Sequence, residues 1–282
     1  MIDAARTVAA LAAVAIAGFE PTMRAEAQEG PQLPPDAELA LSRLAESPRH
    51  GEWIEYNAGG ADTVTAWVVY PERSDAAPVM VVIHEIFGLS DWVRGVADQL
   101  AAEGFIAIAP DLLSGKGYDG GGTDSFSPED VRKAIRDLDP DEVNRRLRAA
   151  AGYATALPSA TARVGSVGFC WGGSTSFRFA TAWDGLDAAI VYYGSSPPTE
   201  SLAAIKAPVL GLYGGDDARV NATIPPARKE LDRLGKVYET EIYAGAGHGF
   251  LRQQSGRDGS NLKASEQAWA RTLAFLRAEL EE

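Results

Sequence analysis

Gly168-Phe169-Cys170-Trp171-Gly172-Gly173 sets the only cysteine of this 282-residue chain at the centre of a G-x-C-x-G pentapeptide. A strand-like run, Arg163 to Phe169, precedes it and a helix-like one, Ser174 to Ala182, follows. A strand that turns into a helix across one residue needs glycines on both sides, because a Cβ there collides with the neighbouring strand or helix. The central residue is driven into a strained turn that holds its side chain out at the top of a sheet. The pattern is a nucleophile elbow with sulfur in place of oxygen. It also leaves the N–H of Trp171 unpaired at a helix N-terminus, where it can donate to a developing oxyanion and favour a thiolate.

The pattern around the elbow is strand and helix in alternation. Thr63 to Tyr70 alternates apolar and polar residues, as a half-buried antiparallel strand does, and Val79 to His84 is a continuous apolar run suited to a strand covered on both faces. Asp91 to Glu103 has a helical period, Phe105 to Ala109 is a strand ending at Pro110-Asp111, and Asp139-Pro140 opens a long helix to Leu157. Beyond the elbow, Ala188 to Tyr193 and Val209 to Tyr213 form buried strands, and Ala222 to Leu234 forms a helix. Val237 to Tyr243 alternates as a strand, and Lys263 to Leu280 is a closing amphipathic helix. The expected fold is α/β, with a mainly parallel central sheet and helices on both faces. Its active site belongs beyond the carboxyl ends of the strands.

With 46% hydrophobic residues, the chain can bury one large core. The expected organisation is a folded domain over residues 50–282, preceded by a Pro- and Glu-rich leader over 28–49 that ends in a short helix around Leu39, Leu41 and Leu44. The apolar run Val8 to Phe19 is 12 residues long, short of the roughly 20 a membrane span needs. With Arg6 before it and Ala25-Glu26-Ala27 after it, the run predicts a signal peptide over residues 1–27 and export to the periplasm or medium. The competing reading is an alanine-rich helix packed on a cytoplasmic protein. A formal net charge of −13 without a Lys/Arg cluster opposes binding to nucleic acid or an anionic membrane. A lone cysteine makes no intrachain disulfide. Three scattered histidines, with no H-x-x-x-H or C-x-x-C pair, point away from a metal. No cofactor is expected, and a monomer is the expected state.

A nucleophilic Cys170 needs a base within reach and an acid to orient that base. His248 lies in the glycine-rich stretch Ala244 to Phe250 after the last strand, and Asp216-Asp217 follow the strand Val209 to Tyr213. Nucleophile, acid and base then run in the α/β-hydrolase order. Each part has a plainer reading when taken alone: Cys170 as a small buried hydrophobe, His248 as a loop residue, the aspartates as turn formers. Their order and their positions at strand ends favour catalysis. Glu85, at the end of a doubly covered strand, is costly to bury as a charge and should be protonated or paired with a neighbour such as the thiol or Arg252. His84 and Asp111 suit structural roles. The glycine-rich stretch Ser114 to Thr123 lacks the Lys-Ser pair of a phosphate loop and is expected to be a surface loop, at most a rim of the pocket.

At these residues the chain resembles the dienelactone hydrolase family of α/β-hydrolases. Gly168 to Gly173 is similar to that family's cysteine elbow, Gly214 to Val220 to its G-G-x-D-x-x-V acid turn, and His248 to Arg252 to its histidine loop with a trailing arginine. His84-Glu85-Ile86-Phe87-Gly88 resembles its E-I-F-G segment. The resemblance covers about residues 50 to 280 and implies Cys170 as nucleophile, His248 as base and Asp217, the fourth residue of the acid turn, as orienting acid. It further implies Ile86 and Trp171 as oxyanion donors, Glu85 as the glutamate that holds the resting thiol neutral, and Arg252 as the ligand of a substrate carboxylate. A second carboxylate-binding arginine has no motif here; Arg94 and Arg145 are candidates. Trp92, Trp171, Trp183 and Phe87 are candidates for the pocket lining. The expected activity is hydrolysis of small carboxylic esters or lactones through a thioester. The alternatives are a broader carboxylesterase or thioesterase, and a non-catalytic binding protein on the same scaffold.

Overall fold

The computed structural model describes residues 32–281. Among these, eight strands make one sheet: β1 (Gly51–Asn57), β2 (Thr63–Val69), β3 (Ala77–Ile83), β4 (Ile106–Pro110), β5 (Ala160–Phe169), β6 (Ala188–Tyr192), β7 (Val209–Gly214) and β8 (Tyr238–Tyr243). The helices are α1 (Ala40–Ala45), α2 (Asp91–Ala102), α3 (Pro128–Arg136), α4 (Pro140–Thr155), α5 (Trp171–Ala182), α6 (Ala218–Asn221), α7 (Ile224–Arg233) and α8 (Ser260–Leu280). No helix among the described residues is long and apolar enough to cross a membrane.

Strand order is β1-β2-β4-β3-β5-β6-β7-β8. β3 to β8 are parallel, while β2 is antiparallel to both β1 and β4. Every residue of β3, β4, β6 and β7 is buried, as continuous apolar runs require when helices cover both faces. Val143 and Leu147 of α4, Phe177 of α5 and Leu231 of α7 fill one face. Trp92 and Val96 of α2 with Trp269 and Leu273 of α8 fill the other. The chain leaves β3 toward β4 on one side and returns to β5 on the other, so a crevice opens at the carboxyl ends of β3 and β5.

Two elements escape the sequence reading. β1 is an edge strand that pairs on one side only and carries Glu52 and Glu55 on its exposed flanks, which blunts its alternation. α3 has just two buried apolar residues, Val131 and Ile135. Its signal lies in its cap, where Ser127 accepts from the Asp130 N–H ahead of Pro128. The helix expected over Ala222 to Leu234 is α7, opened by Pro225 and Pro226 in its first turn, and the four-residue α6 precedes it.

The reading of residues 28–49 as a leader outside the folded domain needs correction. Leu33, Ala37 and Ala40 pack into the core on the α2 and α8 side, and the Trp92 Nε1–H donates to the Pro35 carbonyl at 3.0 Å. The residues expected to form a signal peptide, 1–27, lie outside those described.

Two glycine substitutions of opposite sign test this packing. A Cβ on Gly168 would sit 2.0 Å from the Gly172 carbonyl oxygen, whereas one on Gly152 in α4 meets nothing within 4 Å. Gly168→Ala should destabilise the protein by about 3 kcal/mol, and Gly152→Ala should stabilise it by up to about 1 kcal/mol. Urea unfolding midpoints will show both shifts.

Candidate active site

Cys170 joins β5 to α5 with φ 56° and ψ −114°, a region a non-glycine residue occupies only when its surroundings enforce it. The enforcement comes from both flanks. The Cys170 N–H donates to the Tyr192 carbonyl at 3.1 Å, and the Cys170 carbonyl accepts from the Ser174 N–H at 3.1 Å. A Cβ on Gly172 would lie 2.3 Å from the carbonyl oxygens of Ile83 and His84, so the elbow seats directly on the end of β3. The thiol faces a cavity of about 480 Å³.

Two side chains from neighbouring strand ends complete a relay. His248 Nε2 lies 3.0 Å from Cys170 Sγ, and its Nδ1 lies 2.5 Å from Asp217 Oδ2. Asp217 is buried at the N-cap of α6, whereas Asp216 points out to an ion pair with Arg257 at 2.5 Å. The carboxylate accepts from Nδ1–H, which leaves Nε2 as the acceptor facing the thiol. Burial and the nearby Glu85 push the Cys170 thiol up to about 11, against the pull of the Trp171 N–H and Arg219. At neutral pH the sulfur is therefore a thiol beside a base, not a standing thiolate.

Glu85 is 3% exposed. Its Oε2 lies 3.1 Å from Arg252 Nε, so of the two partners weighed for it from sequence, the arginine is the one it meets. The contact is poorly aligned, since neither atom makes a well-formed hydrogen bond. Burial pushes the carboxyl up to about 7, with Arg252 only partly opposing. Arg252 also lies over the Phe87 ring, 4.6 Å from its centroid. Next to this pair, His84 is fully buried, its Nδ1–H donating to the Glu85 carbonyl at 2.9 Å and its Nε2 accepting from the Leu112 N–H at 3.2 Å. Both ring nitrogens are occupied, which makes His84 a brace for the Glu85 backbone. Asp111 accepts from Leu113 N–H and from the Thr123 N–H and hydroxyl, a turn-fixing role.

The arrangement has relatives. The family model described as "Dienelactone hydrolase family" matches residues 64–280. The chain belongs to the dienelactone hydrolase family. It is 31% identical to a protein provisionally named carboxymethylenebutenolidase in Saccharolobus solfataricus, across 79% of this chain and 97% of that one. A protein of the same provisional name in Salmonella typhimurium is also 31% identical, across 76% of this chain and 82% of its own length. The crystal structure of a protein provisionally described as a dienelactone hydrolase from Klebsiella pneumoniae superposes with a TM-score of 0.68 at 27% identity, covering 80% of this chain and 98% of that one. Membership of the dienelactone hydrolase family makes this chain a hydrolase with the α/β-hydrolase fold.

Within this dienelactone hydrolase scaffold, Glu85, Ile86, Cys170, Trp171, His248 and Arg252 all line the same cavity, and Asp217 stands behind His248. Phe87 and Trp171 line it too, but Trp92 and Trp183 do not; they pack in the cores, against Phe169 and Phe179 respectively. The two candidate second arginines lie elsewhere. Arg94 pairs with Asp91 and stacks on Trp53 and Trp67, and Arg145 pairs with Asp62 at 2.8 Å. Arg136 and Arg219 occupy the cavity wall instead. Arg136 comes from the unread α3, and Arg219 lies inside the acid turn, where position in the motif was the available clue. Tyr193 was missed as well: its ring lies edge-on to His248 at 5.2 Å, and its buried hydroxyl has no partner. The glycine-rich stretch from Ser114 to Gly122 lines a different cleft, against Asp62, Glu142 and Arg145. Among the described residues, no cluster of three or more His, Cys, Asp or Glu could hold a metal ion.

The Glu85 carboxyl gives a pH-dependent prediction. Its folded value, about 7, lies above its ordinary 4.5, so the folded state holds the proton more tightly and loses stability as pH rises through that window. Glu85→Gln does not titrate. Its stability relative to wild type should therefore climb by up to about 3 kcal/mol between pH 4.5 and pH 8, as read by denaturant unfolding across that range.

Proposed function

We propose that this protein hydrolyses small carboxylic esters or lactones, preferring substrates that carry an acid group, through a Cys170-His248-Asp217 triad and a thioester intermediate. The carrying observation is the chain of contacts from sulfur to Nε2 at 3.0 Å and from Nδ1 to the buried carboxylate at 2.5 Å. Family membership supports the substrate class.

The reaction begins from the neutral thiol. As the substrate carbonyl approaches, His248 Nε2 takes the thiol proton, sulfur bonds to the carbonyl carbon, and the electron pair of the C=O moves onto oxygen. Asp217 stabilises the imidazolium that forms. The Trp171 N–H, at the first position of α5, and the Ile86 N–H are assigned to the oxyanion, where fixed donors in a water-poor pocket act most strongly. Collapse breaks the carbon–oxygen bond to the alcohol, which takes the proton from Nε2–H and leaves a thioester on Cys170. In a lactone that alcohol stays tethered to the acyl group. Water then gives a proton to His248 and its oxygen to the acyl carbon, and the thiolate is expelled and reprotonated. Arg252 would bind the substrate's acid group, which competes with Glu85 for the guanidinium.

Activity should follow Cys170 one for one. Alkylation by iodoacetamide, located by mass spectrometry, should abolish hydrolysis of p-nitrophenyl esters and of a dienelactone in step with labelling. Cys170→Ser should lose about a hundredfold or more in kcat, since an alcohol needs stronger base assistance than a thiol. Unchanged turnover in Cys170→Ala would overturn the triad. Arg252→Ala should raise KM about tenfold or more for an ester bearing a carboxylate and leave a neutral ester near wild type; no effect on either would favour a broad carboxylesterase.

A further inference from the structure

The segment before β1 lies against the loop that carries Arg252. The Ala37 N–H donates to the Arg252 carbonyl at 3.0 Å, and the Gln254 Nε2–H donates to the Pro34 carbonyl at 2.9 Å. The Ser255 N–H donates to Asp36 Oδ2 at 3.2 Å. Three hydrogen bonds thus join four consecutive residues, Pro34 to Ala37, to a loop more than 200 positions away in sequence. The strap is itself pinned from below, by Trp92 Nε1–H to the Pro35 carbonyl and by Gly95, where a Cβ would come 2.6 Å from the Pro35 ring. Two consecutive prolines keep the strap extended and low in conformational entropy, so it can hold its neighbour without first being ordered.

The loop has a second set of anchors, which flank His248 and reach as far as Gln253, while the Arg252 N–H donates to the Gly249 carbonyl at 3.0 Å. Asn261 accepts from the Gly247 N–H and donates to the Gln253 carbonyl, while Ser265 donates to the Phe250 carbonyl. α8 therefore holds both flanks of His248, and Asp217 holds its ring. The backbone carbonyl of Arg252 is held by the strap.

We propose that Pro34 to Ala37 form a positioning strap that sets the substrate-binding arginine, so that acid selectivity is controlled by a segment that touches no substrate. The proposal rests on the reading of Arg252 given above. It predicts a division of labour: loosening the strap should weaken capture of the acid group and spare the triad. A 1 Å displacement of a positioning group is enough to cost one to two orders of magnitude.

The test uses full-length Gly95→Ala, which pushes on Pro35, and Asp36→Ala, which removes the tie to the Ser255 N–H while leaving the bond of Gln254 to the Leu251 carbonyl inside the loop intact. Gly95→Ala gains helix propensity in α2, so a general loss of stability does not accompany it by default. Substrates are mono-p-nitrophenyl glutarate and the neutral p-nitrophenyl butyrate, with Arg252→Ala run beside the strap variants. Expected are a rise of about tenfold in KM for the glutarate with kcat retained, butyrate kinetics within about twofold of wild type, and faster amide hydrogen exchange over residues 249–256 with β5 protection unchanged. Equal losses on both esters, or unchanged exchange across 249–256, would overturn the strap. Should Arg252→Ala itself fail to separate the two esters, the acid-binding reading falls, and exchange in the loop still decides whether the strap holds it.

Discussion

The close seating of the elbow on the end of β3 is the constraint from which the rest of the site follows. No Cβ fits at Gly168 or Gly172, so β5 and α5 meet across a single residue, and that residue must take a positive φ. A side chain in this conformation cannot turn back into the core. It projects into the crevice where the topology reverses between β3 and β5, and the ends of β7 and β8, beyond β6 on the same edge, deliver Asp217 and His248. Packing alone determines where Cys170 sits, and its contacts to His248 and Asp217 are assembled from loops that the same parallel sheet brings to one edge.

Electrostatics then decides what kind of nucleophile it is. Burial and Glu85 both raise the thiol, while the Trp171 N–H and Arg219 lower it, and the balance leaves a neutral sulfur. A standing thiolate would be attacked by oxidants and alkylating agents whether or not substrate were present. In the proposed mechanism a neutral thiol 3.0 Å from an acceptor nitrogen gives up its proton as the carbonyl takes up the charge. The buried Glu85 contributes in two directions, since its negative form opposes the thiolate and its neutral form does not, and a carboxyl near 7 changes form within the working pH range. A substrate anion that draws Arg252 away would remove the one partner that keeps Glu85 ionised, and the field on the sulfur would change in the direction that favours attack.

How much of this was legible depended on how local its cause was. The elbow, the buried strands and the cap of α4 follow from residues adjacent in sequence, and each has the expected span to within a few positions. The separate fates of Asp216 and Asp217 follow from which one the turn points inward, a matter of backbone direction that composition does not encode. α3 went unread because its stability comes from packing two side chains, Val131 and Ile135, against a small cluster that includes Ile86 and Trp171. Arg136 was lost with it. The strap was misread for the opposite reason: Pro and Glu in succession are the composition of a linker, yet the Pro34 carbonyl, the Ala37 N–H and the Asp36 carboxylate meet partners more than 200 residues on.

The contrast between the two sets of anchors bears on how such a scaffold can change substrate. The triad rests on elements that cannot move without disturbing the core, namely β5, β7 and the first turns of α8. On the reading proposed above, the acid-recognising side rests on shorter pieces: Arg252 on a loop tied to four residues of strap, and Arg136 on a nine-residue helix with two buried side chains. Local opening free energy falls as buried contacts become fewer, so these pieces can shift or be replaced while the elbow stays as it is. If the proposed roles hold, chemistry and selectivity are separated by stability within a single cavity.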